Sequence, residues 1–427
     1  MGELQIRAVR ALQILDSRGF PTLQVQLEDE AGSVFEASAP AGASTGAHEA
    51  VELRDGGAAW FGRGAGQAIS AVKGEMSALL LSRPWASLAE LDAALCELDG
   101  TENKSRLGAN SIVAVSMAAA RAFAASSGKP LHAWLADLAG TEQRLPVPHF
   151  NVLNGGAHAA NELAFQEFMI APIGAGSYPE ALEWGADVYH ALAGVLRGRG
   201  LATGLGDEGG YAPEISSPEE ALDLILAAID ASGHVPGEAG IMIALDPAAN
   251  SFFADGAYRF NERVLTPEQM TTYYGTLLDD YPIRSLEDPL AEDDAQSWPG
   301  LVSRLGGRAQ IVGDDLFVTQ AARVRSGIAD GSATAVLIKP NQVGTVTETL
   351  ETMAVAAAGG FTAMVSHRSG ETLDSFVADL TVGSGCGQLK AGAPARGERL
   401  AKYNRLLEIA DANPSLPFGL ATGAGHR

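Results

Sequence analysis

The feature that most limits the fold is a repeated unit in the C-terminal part of the chain, a short apolar run followed by an amphipathic helical pattern. The runs fall at residues 241–245, 283–286, 310–312, 335–338 and 362–365. Strand-then-helix repetition builds either a closed parallel barrel or a doubly wound open sheet. The helices carry start signals. Ser217-Pro218-Glu219-Glu220 and Thr266-Pro267-Glu268-Gln269 each read as a capping box with proline at the first helical position, and Thr345 with Glu348 repeats the device. The residues that end each run decide between the two folds. Asp246 follows the first run, Glu287-Asp288 the second, Asp314-Asp315 the third, Lys339 the fourth and Ser366-His367-Arg368-Ser369 the fifth. Functional groups at the C-terminal ends of successive strands are what a (β/α)8 barrel presents on its catalytic face. A doubly wound sheet would carry a Gly-rich phosphate turn after its first strand, and none is visible. The expectation is an α/β chain with a (β/α)8-like barrel over residues 141–427.

The first 140 residues read differently, as an α+β domain capping the barrel. Alternating runs at residues 23–27 and 33–39 predict an antiparallel hairpin turning at 29–32, and an Ala-rich pattern predicts a helix over 110–126, closed by Gly128 and Pro130. Leu145-Pro146-Val147-Pro148 is the expected boundary. A chain of 427 residues exceeds what one small core organises. No run of about 18 wholly apolar residues suggests a membrane span, and residues 1–10 mix charges with single aliphatics, unlike a secretory leader. Cys96 and Cys386 are the two cysteines, far apart in sequence, which points to a reducing, cytoplasmic setting. The formal charge of −23 argues against nucleic acid or an anionic membrane as partner. An anionic substrate would therefore need positive charge concentrated in the site itself.

The strand ends supply it. Asp246, Glu287 and Asp314 lie on three consecutive strand ends, where bare carboxylates would repel and raise one another's pKa. Each alone reads as a helix cap; three in register suit a hard dication such as Mg²⁺. Lys339 ends an apolar strand, where a lysine either pairs with a carboxylate or is tuned as a base. Lys390 is a second strand-borne cation, and Arg368 with Ser369 suits a phosphate. Two more acids stand out, Glu167 in Gln166-Glu167-Phe168-Met169 and Glu208 in Gly206-Asp207-Glu208-Gly209-Gly210.

Taken together, these stretches resemble the enolase family. The resemblance runs from about Ile14 to Leu406 and rests on Leu15-Asp16-Ser17-Arg18-Gly19, Gly42-Ala43-Ser44-Thr45-Gly46, Asp99-Gly100-Thr101-Glu102-Asn103-Lys104, Gly313-Asp314-Asp315, Lys339-Pro340-Asn341-Gln342 and Ser366-His367-Arg368-Ser369-Gly370-Glu371, besides the Glu208 segment. It implies a dehydratase converting 2-phospho-D-glycerate to phosphoenolpyruvate with two Mg²⁺ per site. Asp246, Glu287 and Asp314 would bind the first ion and Ser44 the second. Lys339 would be the base, and Glu208, partnered by Glu167, the acid. Lys390 would stabilise the developing charge. Arg368 and Ser369 would hold phosphate, while Gln166, His158 and His367 line the pocket. A Lys base beside Mg²⁺ is itself a documented pattern for this superfamily. The loops around Ser44 and Ala157-His158 would exclude water, and the family implies a homodimer or higher oligomer.

The chain departs from the family at several places. Ala41 and Ala391 replace hydroxyl residues, Asn250-Ser251 and Gly397 differ from the usual residues, and Phe20 stands where Asn is common. Gln24 and Glu408 cannot form the salt bridge expected across a dimer. Two other functions follow as alternatives. One is a paralog that dehydrates a phosphonate analogue to carboxyphosphonoenolpyruvate; the other is a non-catalytic structural or surface-binding use of the fold.

Overall fold

The computed structural model describes residues 3–43 and 46–420. It opens with a three-stranded antiparallel meander, β1 (Ile6–Leu15), β2 (Pro21–Asp29) and β3 (Val34–Ser38). The predicted hairpin is β2–β3. Its turn closes through Asp29, whose side chain accepts the Ser33 N–H at 2.8 Å, and through Gly32 at φ +82°. Leu23, Val25 and Leu27 alternate inward, as a half-buried strand requires.

The helix Ala109–Ser126 lies against β2 and β3 and is buried on nearly every side. By length and apolarity it is the one helix among the described residues that could cross a membrane, but 83% of it is buried inside the fold. Small side chains let it approach the sheet closely, and Arg121 emerges from it to pair with Asp374 at 2.7 Å.

Five strands continue in chain order: β4 (Val147–Asn154), β5 (Glu167–Ala171), β6 (Met242–Asp246), and the short β7 (Phe253–Ala254) and β8 (Ala257–Phe260). Then come β9 (Arg263–Leu265), β10 (Ile283–Glu287), β11 (Gln310–Gly313), β12 (Ala335–Ile338), β13 (Thr362–Ser366) and β14 (Gln388–Lys390). Strands β7–β9 form a separate small sheet, and the other eight close into a barrel in the order β10-β11-β12-β13-β14-β4-β5-β6. The expected α/β barrel is therefore present, with one difference. β5 runs antiparallel to both β4 and β6. Reversal brings the N-terminal end of β5, where Glu167 sits, to the face that collects the C-terminal ends of the parallel strands, and Glu167 pairs in register with Asp246.

The predicted caps form, though unequally. Thr266 and Gln269 make a full reciprocal box. Ser217 and Thr345 cap through their hydroxyls alone, accepting from Glu220 N at 3.3 Å and Glu348 N at 3.1 Å. Glu348 splits its carboxylate, one oxygen accepting from the Thr345 hydroxyl at 2.6 Å and the other 2.9 Å from Lys104 on the N-terminal side of the molecule.

Candidate active site

The barrel mouth gathers nearly all the predicted groups. Lys390, at the end of β14, places its ammonium 3.0 Å from Asp246 Oδ2, 2.8 Å from Glu287 Oε1 and 3.1 Å from Glu167 Oε1. Burial works against that charge, yet Asp246, Glu167 and Glu287 outweigh it and push the lysine well up. Lys339, after β12, pairs with Asp314, after β11. Asp314's other oxygen accepts from Gln342 at 2.9 Å. Burial alone would lower Lys339, but Asp314 raises it on balance, so of the two fates open to a strand-end lysine the ion pair is the one observed.

Across the mouth stands Glu208. Its loop is wedged against β4, and the glycines are what permit this: a Cβ at Gly210 would lie 2.4 Å from Asn154 Oδ1, and one at Gly206 2.7 Å from the His158 carbonyl. Asn151 donates to Glu208 Oε2 at 2.9 Å. His367 Nε2 lies 3.3 Å from the same oxygen, and His158 Nδ1 lies 3.6 Å from Oε1 and 3.8 Å from Glu167 Oε1. Burial pulls both imidazoles down, His367 to about 4, so both are neutral near pH 7. Burial and then Glu208 push Glu167 well up, while protonation of His367 and His158 would draw Glu208 well below the usual carboxylate range against its burial. Two facing carboxyls of this kind titrate as a pair and share one proton. Gln166 also reaches the site, its amide 3.4 Å from Asp246 Oδ2.

The third part is the loop after β13 that carries Arg368 and Ser369. Arg368 meets Glu49 at 2.8 Å and Asn341 at 3.3 Å. The Ser369 hydroxyl accepts the Ala43 N–H at 2.7 Å, next to Ser44, which lies outside the described residues. The motif Asp16-Ser17-Arg18 braces this corner rather than reaching the mouth. Asp16 accepts the backbone N–H groups of Arg18 and Phe20 at 2.9 Å each, and Arg18 donates to the Gly42 carbonyl at 3.1 Å. Phe20 lies under Arg63, 4.3 Å from guanidinium to ring centroid.

The predicted metal triad is shared out between the lysines. Asp246 and Glu287 gather on Lys390, whereas Asp314 turns to Lys339 and lies close to Asp288 and Asp315. Among the described residues, the groups of three whose ligand atoms lie within 4.8 Å of one another are Asp288/Asp314/Asp315 and His158/Glu167/Glu208. Burial, then Asp246 and Asp314, push Glu287 well up, and burial with Asp314 raises Asp315 to about 7. So many buried carboxyl oxygens with mutually raised pKa values fit a hard divalent cation, which would relieve the repulsion.

Sequence reasoning named Asp288 and Asn250 but gave neither a role in the site. Asp288 accepts the backbone N–H groups of Asp314 and Asp315 at 2.8 and 2.9 Å and so aims the first of them. Asn250, one of the departures, bridges Asp315 and Glu292 at 2.8 and 3.3 Å. Glu49, Asn151 and Arg399 lie outside the recognisable motifs, whereas Gln342 belongs to Lys339-Pro340-Asn341-Gln342. The signal for Asn151 lies in its strand, Val147–Asn154, which is buried throughout although it carries polar residues.

Family models agree with this geometry over nearly the full length. Residues 6–135 match "enolase, N-terminal domain" and residues 142–416 match "enolase, C-terminal TIM barrel domain". The chain belongs to the enolase family. That family membership makes it an enolase-type hydro-lyase; the family acts on small phosphorylated acids and is generally Mg²⁺-dependent, and the carboxylate clusters here could bind a metal.

Proposed function

We propose that this enolase-family protein dehydrates 2-phospho-D-glycerate to phosphoenolpyruvate in the cytoplasm, as the phosphopyruvate hydratase of glycolysis and gluconeogenesis. The observation that carries the reading is that a lysine–carboxylate cluster and a paired-carboxyl cluster share one mouth and meet where Lys390 lies 3.1 Å from Glu167. Asp246, Glu287 and Asp314 are the residues to hold one Mg²⁺, and Ser44 belongs to a second. When bound, these ions supply positive charge for the substrate's carboxylate and phosphate.

Lys339 takes the proton from C2. It is held charged by Asp314 in the present arrangement; with Asp314 engaged elsewhere, burial and the charges of Arg368 and Lys390 press it toward the range of a base. The C2–H electron pair becomes the second bond between C2 and C3. The C3–O bond breaks, and that oxygen leaves as water with a proton from the Glu208–Glu167 pair. Lys390 faces the carboxylate end and offsets the charge that develops there. Arg368 and Ser369 receive the phosphate, while Gln166, His158 and His367 close the walls.

A homodimer is part of the same proposal. Leu15, Val34 and Leu373 are exposed around a groove that Gln24 also lines, which leaves an apolar rim for a second copy. Glu408 pairs within its own chain, with Arg405 at 3.0 Å. The two cysteines are both free thiols, in keeping with a reducing compartment.

The phosphonate reading draws on Ala41, which pairs through its backbone with Gly370, next to Ser369, at 2.7 Å. One absorbance assay separates the readings. Purified protein with Mg²⁺ should form phosphoenolpyruvate from 2-phosphoglycerate and lose that activity in EDTA. Folded, metal-loaded protein that leaves 2-phosphoglycerate untouched but dehydrates the phosphonate analogue assigns it to the paralog. Inactivity on both substrates assigns a non-catalytic use.

A further inference from the structure

The C-terminal helix Gly397–Ala412 contributes one residue that the reaction as written does not use. Arg399 is fully buried, and its guanidinium makes three short polar contacts. It donates to the backbone carbonyls of Arg368 and Ser369, each at 2.6 Å, and lies 2.6 Å from His367 Nδ1. An arginine side chain has five donors and no acceptor. Nδ1 of His367 must therefore present its lone pair, and the proton of the neutral ring sits on Nε2. That nitrogen is buried and satisfied by no well-formed hydrogen bond in this arrangement, and Glu208 Oε2 lies 3.3 Å from it. Asn151 donates to the same oxygen.

We infer that Arg399 is a positioning residue that locks His367 in its Nε2–H tautomer, so that His367 and Asn151 both donate to Oε2 of Glu208 and the proton given to the leaving group is carried on Oε1. Oε1 is the oxygen that faces His158 and, beyond it, Glu167, so the shared proton of the carboxyl pair travels on that side. With the other tautomer, Nε2 would present a lone pair to Oε2 and draw the proton to the wrong oxygen. The same guanidinium ties the carbonyls of the loop after β13, so one buried charge orients both the acid and the phosphate-binding turn. The inference rests on the reading of Glu208 as the acid.

The test is the nitrogen chemical shifts of His367 in protein labelled with ¹⁵N-histidine, assigned by the signals lost in His367→Asn. The intact protein should show a protonated, pyrrole-type Nε2 and a pyridine-type Nδ1 near neutral pH. A protonated Nδ1 overturns the inference, and this measurement does not depend on any Arg399 variant folding. Arg399→Met should release the tautomer and lower kcat by roughly 10- to 100-fold, as expected for a misaimed catalytic group. Arg399→Lys, which keeps a donor, should retain the Nε2–H pattern and recover most of the rate. If Arg399→Met slows turnover while His367 keeps its wild-type shifts, the arginine is only structural and the inference fails. Wild-type turnover in Glu208→Gln would instead sink the acid assignment, whatever the histidine shifts show.

Discussion

The two halves of the barrel mouth keep buried carboxylates in different ways. On one side Asp246, Glu287 and Asp314 are held by the ammonium groups of Lys390 and Lys339. On the other, Glu208 is surrounded by an amide and two imidazoles that burial keeps neutral. A full charge compensates a buried carboxylate strongly and without much directional demand, and it can be exchanged for a cation. Neutral donors compensate less but dictate which oxygen carries what. In the proposed reaction the difference matches the tasks: the charged half would accommodate developing negative charge, while the neutral half would deliver a proton from a defined atom.

The largest expected effect breaks the charged half. Lys339→Ala removes the proposed base and leaves Asp314 without its ammonium. Turnover should fall by about 10⁴-fold, near the upper end for general-base removal. Circular dichroism and the thermal midpoint should show that the barrel still folds. Turnover within tenfold of the parent would refute the assignment of the base. On the neutral half, Glu208→Gln keeps the shape but gives up the transferable proton, and about a 10³-fold loss is expected. If exchange of the C2 hydrogen with solvent survives in Glu208→Gln and disappears in Lys339→Ala, the halves are functionally separate. Loss of exchange in both variants would mean that the two halves act as one unit.

Much of the charged half was legible in the sequence because strand ends place residues by topology. Once residues 241–245, 283–286 and 310–312 read as neighbouring strands, Asp246, Glu287 and Asp314 had to reach one face. The reversed β5 was not legible. Glu167–Ala171 is buried throughout, and an apolar run carries no mark of its direction. The neutral half was readable only through the family resemblance, since Gly-flanked Glu208 alone is equally a solvated turn. Arg399 was lost for a related reason. On a helix with as many polar residues as Gly397–Ala412, one more arginine reads as solvent-facing, and its burial depends on a loop distant in sequence. The pairing of Lys339 with Asp314 follows from distance between side chains, which periodicity does not encode.

Asp92 offers the mildest and cleanest control on the comparison, a buried carboxylate with neutral donors and no catalytic duty. It sits on the helix Leu88–Asp99 and accepts from Thr347 through the backbone N–H at 3.0 Å and the hydroxyl at 2.6 Å, at the start of the barrel helix Val346–Ala358. Burial is the dominant influence and raises its pKa from 3.8 to about 6, although Thr347 works the other way. An acid raised on folding binds its proton more tightly in the native state. Its contribution to stability is therefore complete below about pH 4 and is lost as the pH climbs through about 6. A shift of this size corresponds to roughly 3 kcal/mol at most. Asp92→Asn keeps an acceptor for Thr347 and abolishes the titration. Its unfolding free energy should match the parent near pH 4 and exceed it by about 1–2 kcal/mol near pH 7, with turnover unchanged. Denaturant titrations at the two pH values give the answer. A variant less stable than the parent at pH 7 would show that neutral donors alone hold a buried carboxylate as securely as the ammonium groups do, and the distinction between the halves would then rest on aim rather than on energy.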